Sequence, residues 1–156
     1  MRVVNDVEIV TQLYHYMMAT ALSVRGELDA AAREGEPDAV GLLFLLRVCQ
    51  SPSLPQDRLA DQMGVDRSTA TRRLTELERR GFVERVRNKE DRRQMLVRPT
   101  DKAFELLPYA IERLDDIQAA LTRGMSREEI ELLQELVARL AHNAARMRSA
   151  HDYNEA

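Results

Sequence analysis

One cysteine, Cys49, stands alone in 156 residues, so no disulfide can close within the chain, and a reducing, cytoplasmic setting is expected. Histidine is almost as scarce: His15, His142 and His151 lie scattered, without the His-x-x-x-His or Cys/His spacing of a metal site. The longest mainly apolar run, 39–50, falls short of the ~20 residues a membrane helix needs and is interrupted by Arg47. Asp6 and Glu8 sit where a signal peptide would carry its apolar core. There is no glycine-rich phosphate loop, no Gly-x-Ser-x-Gly elbow, and no set of nucleophile, base and orienting group. Enzymatic activity, a cofactor, a metal and a membrane partner are therefore not expected.

What is present suits one soluble globular domain. Hydrophobic residues make up 44% of the chain and charged residues 31%, enough of the first to build a core and of the second to coat it. A domain of this length buries roughly 68–70% of its unfolded surface without a metal or disulfide staple. The net charge of −3 would discourage nucleic-acid binding if it were evenly spread, but residues 55–100 hold 12 Lys or Arg against 8 Asp or Glu. That is a local +4 against −7 elsewhere, and phosphate binding rests on local cations. Arginine supplies 21 of the 23 basic residues, which suits forked contacts to phosphate and guanine, although genome base composition produces the same bias.

The hydrophobic pattern predicts six helices and a small β-hairpin. Val10, Tyr14, Met17, Ala21, Val24, Leu28 and Ala31 follow a 4,3 heptad spacing, which marks a long first helix with a coiled-coil-like seam. After the Gly35-Glu36-Pro37 breaker, 40–49 is apolar nearly all round and reads as a short central helix. Ser53-Leu54-Pro55-Gln56 has the form of a capping box opening a third helix, with Leu59, Ala60 and Met63 on one side and Gly64 as its stop. Asp66 caps a fourth, with Ala70, Leu74 and Leu77 inward and Gly81 at its end. The β-prone runs 82–87 and 94–98, joined by a polar turn, predict the hairpin. Thr100-Asp101 opens a fifth helix with Phe104, Leu107, Ile111, Leu114, Ile117 and Leu121 inward, closed by Gly124. A second capping box, Ser126 to Glu129, opens the last, whose Ile130, Leu133, Val137, Leu140, Ala144 and Met147 form another seam.

A short helix, a glycine-bearing turn and a second helix with Arg, Ser and Thr crowding its first turns is the layout of a helix-turn-helix. A bare basic helix would by itself be an ordinary solvated surface. The hairpin alters that balance, because it needs the support of Phe82, Val83, Val86, Leu96 and Val97 and leaves Arg92 and Arg93 projecting. The segment LADQMGVDRSTATRRLTELERRGFVERVRNKEDRRQMLVRPTDKA, and with it nearly the whole chain, resembles the MarR family of bacterial transcriptional regulators. The family pattern falls on Leu59-Ala60, Gly64-Val65, Ser68 to Thr71, Leu74, Leu77, Gly81, Arg85, Asp91 and Arg93. Two departures, Pro99-Thr100 for Leu-Thr and Lys102-Ala103 for Lys-Gly, fall where the second wing strand meets the next helix.

The resemblance implies a mainly α, winged helix-turn-helix fold, an obligate homodimer, and a pseudo-palindromic double-stranded DNA operator. Residues 1–36 and 101–156 would supply the dimerisation helices, and 37–100 the DNA-binding lobe of a single domain. Arg67, Ser68, Thr69, Thr71, Arg72 and Arg73 are the candidate recognition-helix contacts. Asp91, Arg92 and Arg93 are those of the wing, with Asp91 expected to hold the Arg93 guanidinium for the minor groove. Family members released from DNA by small aromatic or lipophilic effectors suggest a carboxylate site at Arg47, with Tyr14, His15 and Met18 as neighbours; the alternative for Arg47 is a structural or snorkelling role. Cys49, at the end of the apolar helix, reads as a small inert hydrophobe, and the family's peroxide sensors carry their cysteine near the start of the first helix, where this chain has none. The competing functional reading is a protein-interaction module that keeps the fold without DNA binding, against which stand Arg72, Asp91 and Arg93 in their expected places.

Overall fold

The computed structural model describes residues 2–154, with side chains described for residues 8–147; the side chain of His151 lies outside that range. In chain order the elements are α1 (Arg2–Ala30), α2 (Ala39–Gln50), β1 (Leu54–Pro55), α3 (Gln56–Met63), α4 (Arg67–Arg79), β2 (Val83–Arg87), β3 (Met95–Pro99), α5 (Asp101–Leu121) and α6 (Arg127–Asn154). The three strands form an antiparallel sheet in the order β1-β3-β2. The six helices and the hairpin thus match the expected winged helix-turn-helix. Among the described residues no helix is long and apolar enough to cross a membrane.

The described residues divide into two compact units, the first ending at Ile117 and the second beginning at Gln118. In the first, α2 is the centre: Phe44, Leu45 and Val48 have no exposed surface, because this helix is apolar on all sides and every neighbour can pack against it. Leu59 of α3, Leu74 and Leu77 of α4 and Val97 of β3 close round it, joined by Leu28 from the end of α1. The start of α5 completes this core. In the second unit α6 opens with the expected reciprocal cap: the Ser126 N–H donates to Glu129 Oε2 at 2.7 Å, and the Glu129 N–H to Ser126 Oγ at 3.2 Å. The α6 seam residues Leu133, Val137, Leu140 and Met147 are exposed in the single chain, as are Val10, Tyr14 and Met17 of α1.

Two expectations need correction. Ser53 to Gln56 is not a capping box, since Leu54 and Pro55 form a strand paired with Leu96 and Val97. The Ser53 N–H donates to the Val97 carbonyl and its hydroxyl accepts from Arg98 Nε at 2.9 Å, so the serine is committed to the sheet before it can cap α3. Second, α5 turns Ala103, Leu106 and Ala110 into the core rather than Phe104 and Ile111, which are 47% and 50% exposed. Leu121 is exposed as well, while Leu114 and Ile117 are half-buried against the core. Small alanines let the α5 backbone approach closely and leave the bulkier side chains outside. The departure at Pro99 leaves the wing joined firmly to α5: Pro99 pairs with Val83, and Thr100 donates through its N–H to Phe82 and through its hydroxyl to Gly81.

Candidate nucleic-acid interface

The helix-turn-helix is built by local sequence chemistry. Gly64 adopts φ 67° and ψ 26°, the left-handed conformation that a side chain disfavours, and ends α3. Asp66 then caps α4, its Oδ1 accepting from the Thr69 N–H at 2.8 Å. The hydroxyls of Ser68 and Thr69 also donate to this carboxylate. The Ser68 bond first, then the N–H and hydroxyl of Thr69, hold the Asp66 carboxyl far below the usual carboxylate range.

A carboxyl lowered in this way contributes stability that is fully present above its unfolded value and lost as pH falls towards its folded one. Asp66→Ala should lower the melting temperature at neutral pH, and Asp66→Asn, which keeps an acceptor for Thr69, should restore most of it. The gap between wild type and Asp66→Ala should narrow as pH drops below about 4. Coincident melts of wild type and Asp66→Ala at neutral pH would contradict this role for the cap.

The six candidate contacts on α4 divide by what each already touches. Arg72 is exposed and makes no hydrogen bond or ion pair with any described residue. Arg67 lies 3.7 Å from Asp57 with both side chains mostly in solvent, a pairing that costs little to exchange. Ser68 and Thr69 have spent their hydroxyl hydrogens on Asp66, and Thr71 donates its own to the Arg67 carbonyl. Thr71 also accepts from Gln56 Nε2 at 2.9 Å, which stitches the start of α3 to α4. Arg73 departs from expectation: it turns away from the exposed face and pairs with Asp38 at 2.8 Å. Sequence position alone could not separate Arg72 from Arg73, because the deciding acid lies 35 residues away.

The wing is held by its turn and its root. Asp91 Oδ1 accepts from the Arg93 N–H at 3.0 Å, and the Asp91 carbonyl from the Gln94 N–H. Asp91 therefore fixes the backbone of Arg93, not its guanidinium as expected; the short side chain closes on the amide two residues ahead. The side chains of Arg92 and Arg93 are exposed, without partners among the described residues. At the root Arg85 grips Glu78 through Nε at 2.9 Å and Nη2 at 2.6 Å, a two-pronged bond tying β2 to α4. A cavity of about 180 Å³ lined by Gln56, Asp57, Arg93 and Gln94 separates the wing from the start of α3.

The candidate effector residues are placed differently. Arg47 donates to Gln62 Oε1 at 2.7 Å and Gln50 Oε1 at 3.1 Å, so its guanidinium is engaged towards α3. Tyr14, His15 and Met18 are exposed on α1. Cys49 is half-buried, and that burial pushes its thiol up, away from the reactive thiolate.

Residues 41–95 match the family model for the MarR family. The HTH-type transcriptional regulator YybA of Bacillus subtilis strain 168 is 28% identical over 104 residues, covering 67% of this chain and 69% of that protein. The crystal structure of MarR superposes with a TM-score of 0.74 at 28% identity, covering 88% of this chain and 93% of that one. A MarR family transcriptional regulator from Listeria monocytogenes, crystallised with a 26mer DNA, has the same fold, with a TM-score of 0.70 at 24% identity over 87% of this chain and 88% of that one.

Proposed function

We propose that the chain is a MarR family member, a sequence-specific double-stranded DNA-binding regulator acting in the cytoplasm as a homodimer and repressing until a small aromatic or lipophilic effector releases it. The observation that carries the reading is the division of the arginines. Arg73, Arg80 and Arg85 are turned inward to hold the lobe together, whereas Arg72, Arg92 and Arg93 are exposed and uncommitted on α4 and the wing. Free guanidiniums on those two elements suit a major-groove helix flanked by a minor-groove arm.

In this reading Arg72 bridges guanine O6 and N7, while Arg67 and the α4 N-terminus neutralise phosphates. Residues 37–100 form the DNA lobe, and the apolar seams of 1–36 and 101–156 close on a second copy. Release by a carboxylate ligand at Arg47 requires that ligand to displace Gln62 and Gln50 and to prefer the released conformation. Selection of bound duplexes from a random pool tests the proposal. Enrichment of an inverted repeat with half-sites about 10 bp apart is expected, and a pool that stays random would contradict it.

Arg93→Ala should weaken operator binding and reduce the slope of log affinity against log salt by about one unit, since one fewer phosphate counterion is released. A salt titration with wild-type affinity and slope would remove Arg93 from the contact.

A further inference from the structure

The connection between α1 and α2 is tied on both sides. Asp38 Oδ1 caps α2 by accepting from the Gly41 N–H at 2.8 Å, while Oδ2 accepts from Arg73 Nη1 at 2.8 Å. Two residues earlier, Glu36 accepts through its carboxylate from Arg113 of α5 at 2.9 Å and through its carbonyl from Arg80 at the end of α4. The Arg73 Nε is buried without a hydrogen-bond partner among the described residues, so Asp38 is the group that compensates this partly desolvated cation. Gly41 shows how closely the clamp is built: a Cβ there would stand 2.9 Å from Asp38 Oδ1.

We propose that Asp38 is a positioning residue for DNA readout, holding Arg73 so that α4 keeps the rotation that presents Arg72 outward. The proposal rests on the reading of α4 as the recognition helix. Adjacent residues on a helix differ by about 100° in direction, so fixing Arg73 against α2 fixes where Arg72 points. Side-chain tips stand roughly 5–6 Å from the helix axis, and a rotation of about 15° would shift them by ~1.5 Å. That exceeds what a bidentate hydrogen bond tolerates. Through Glu36 and Arg113 the same connection is anchored on α5, which gives a movement of α5 a route to the recognition helix.

Asp38→Asn tests the clamp with little harm to the fold, because asparagine remains a good cap for Gly41 while losing the charge that pairs with Arg73. Asp38→Asn and Arg73→Gln are each expected to bind the operator roughly tenfold more weakly with unchanged salt slope, and the double variant no worse than either single one, because they remove one shared interaction. Were Arg73 a phosphate ligand merely shared with Asp38, Asp38→Asn would free it and tighten binding, and Arg73→Gln would lower the slope by about one. Either result, or wild-type affinity in Asp38→Asn, overturns the proposal. Amide exchange across α4 in the DNA-free protein decides the clamp separately: faster exchange in Asp38→Asn supports it, and unchanged exchange overturns it. If the wild type bound no duplex at all, the function proposed above would fail, while the exchange result would still judge the clamp.

Discussion

Leu140→Glu should yield a folded monomer whose affinity for the operator falls by about 10²–10⁴, the gain normally provided by linking two binding modules. Leu140 lies on the exposed apolar seam of α6 with Leu133 and Val137, and a single copy leaves all three unpaired. A two-fold contact would bury the introduced carboxylate in both protomers at once. Desolvating each without a partner costs several kcal/mol, and a two-fold contact meets that cost twice. The core around Phe44 lies in the other compact unit, so the DNA lobe should survive the change. Light scattering with circular dichroism checks both halves of the expectation. A folded variant that stays dimeric would show that position 140 faces elsewhere, and a folded monomer with full affinity would sever DNA binding from dimerisation.

Arg72→Ala should cost about 1–3 kcal/mol on the preferred duplex, roughly a 5- to 150-fold loss, and relax base preference at one position of each half-site. Because Arg72 has no partner among the described residues, its removal leaves no group of the chain unsatisfied, and the melting temperature should hardly move. That separates it from Arg73, whose loss strands Asp38. Repeating the selection with Arg72→Ala reads the effect directly, and an unaltered preference would take Arg72 out of the readout.

The features legible in the sequence are those written locally. Gly64 as a helix stop, Asp66 as a cap and the Ser126–Glu129 box each depend on residues within three or four positions, and each forms as the spacing indicates. The strand Leu54–Pro55 was hidden because two residues carry no alternation, and its partner lies more than 40 residues on. The phase of α5 was hidden for another reason: the helix has apolar residues on two faces, and periodicity cannot say which one meets the chain's own core. In the site, the difference between a free arginine and a structural one depends on Asp38 and Glu78, whose approach to Arg73 and Arg85 exists only once the elements pack. The basic character of the middle of the chain and the projection of Arg92 and Arg93 were therefore readable, whereas the inward turn of Arg73 was not.

Titration of the selected duplex against a shuffled duplex of equal length and base content, at one physiological salt concentration, separates base reading from simple phosphate binding. A protein reading bases through Arg72 and the wing should prefer its own site by at least about 10³. Equal affinity for the two duplexes, whether both tight or both negligible, would show that the protein does not read bases.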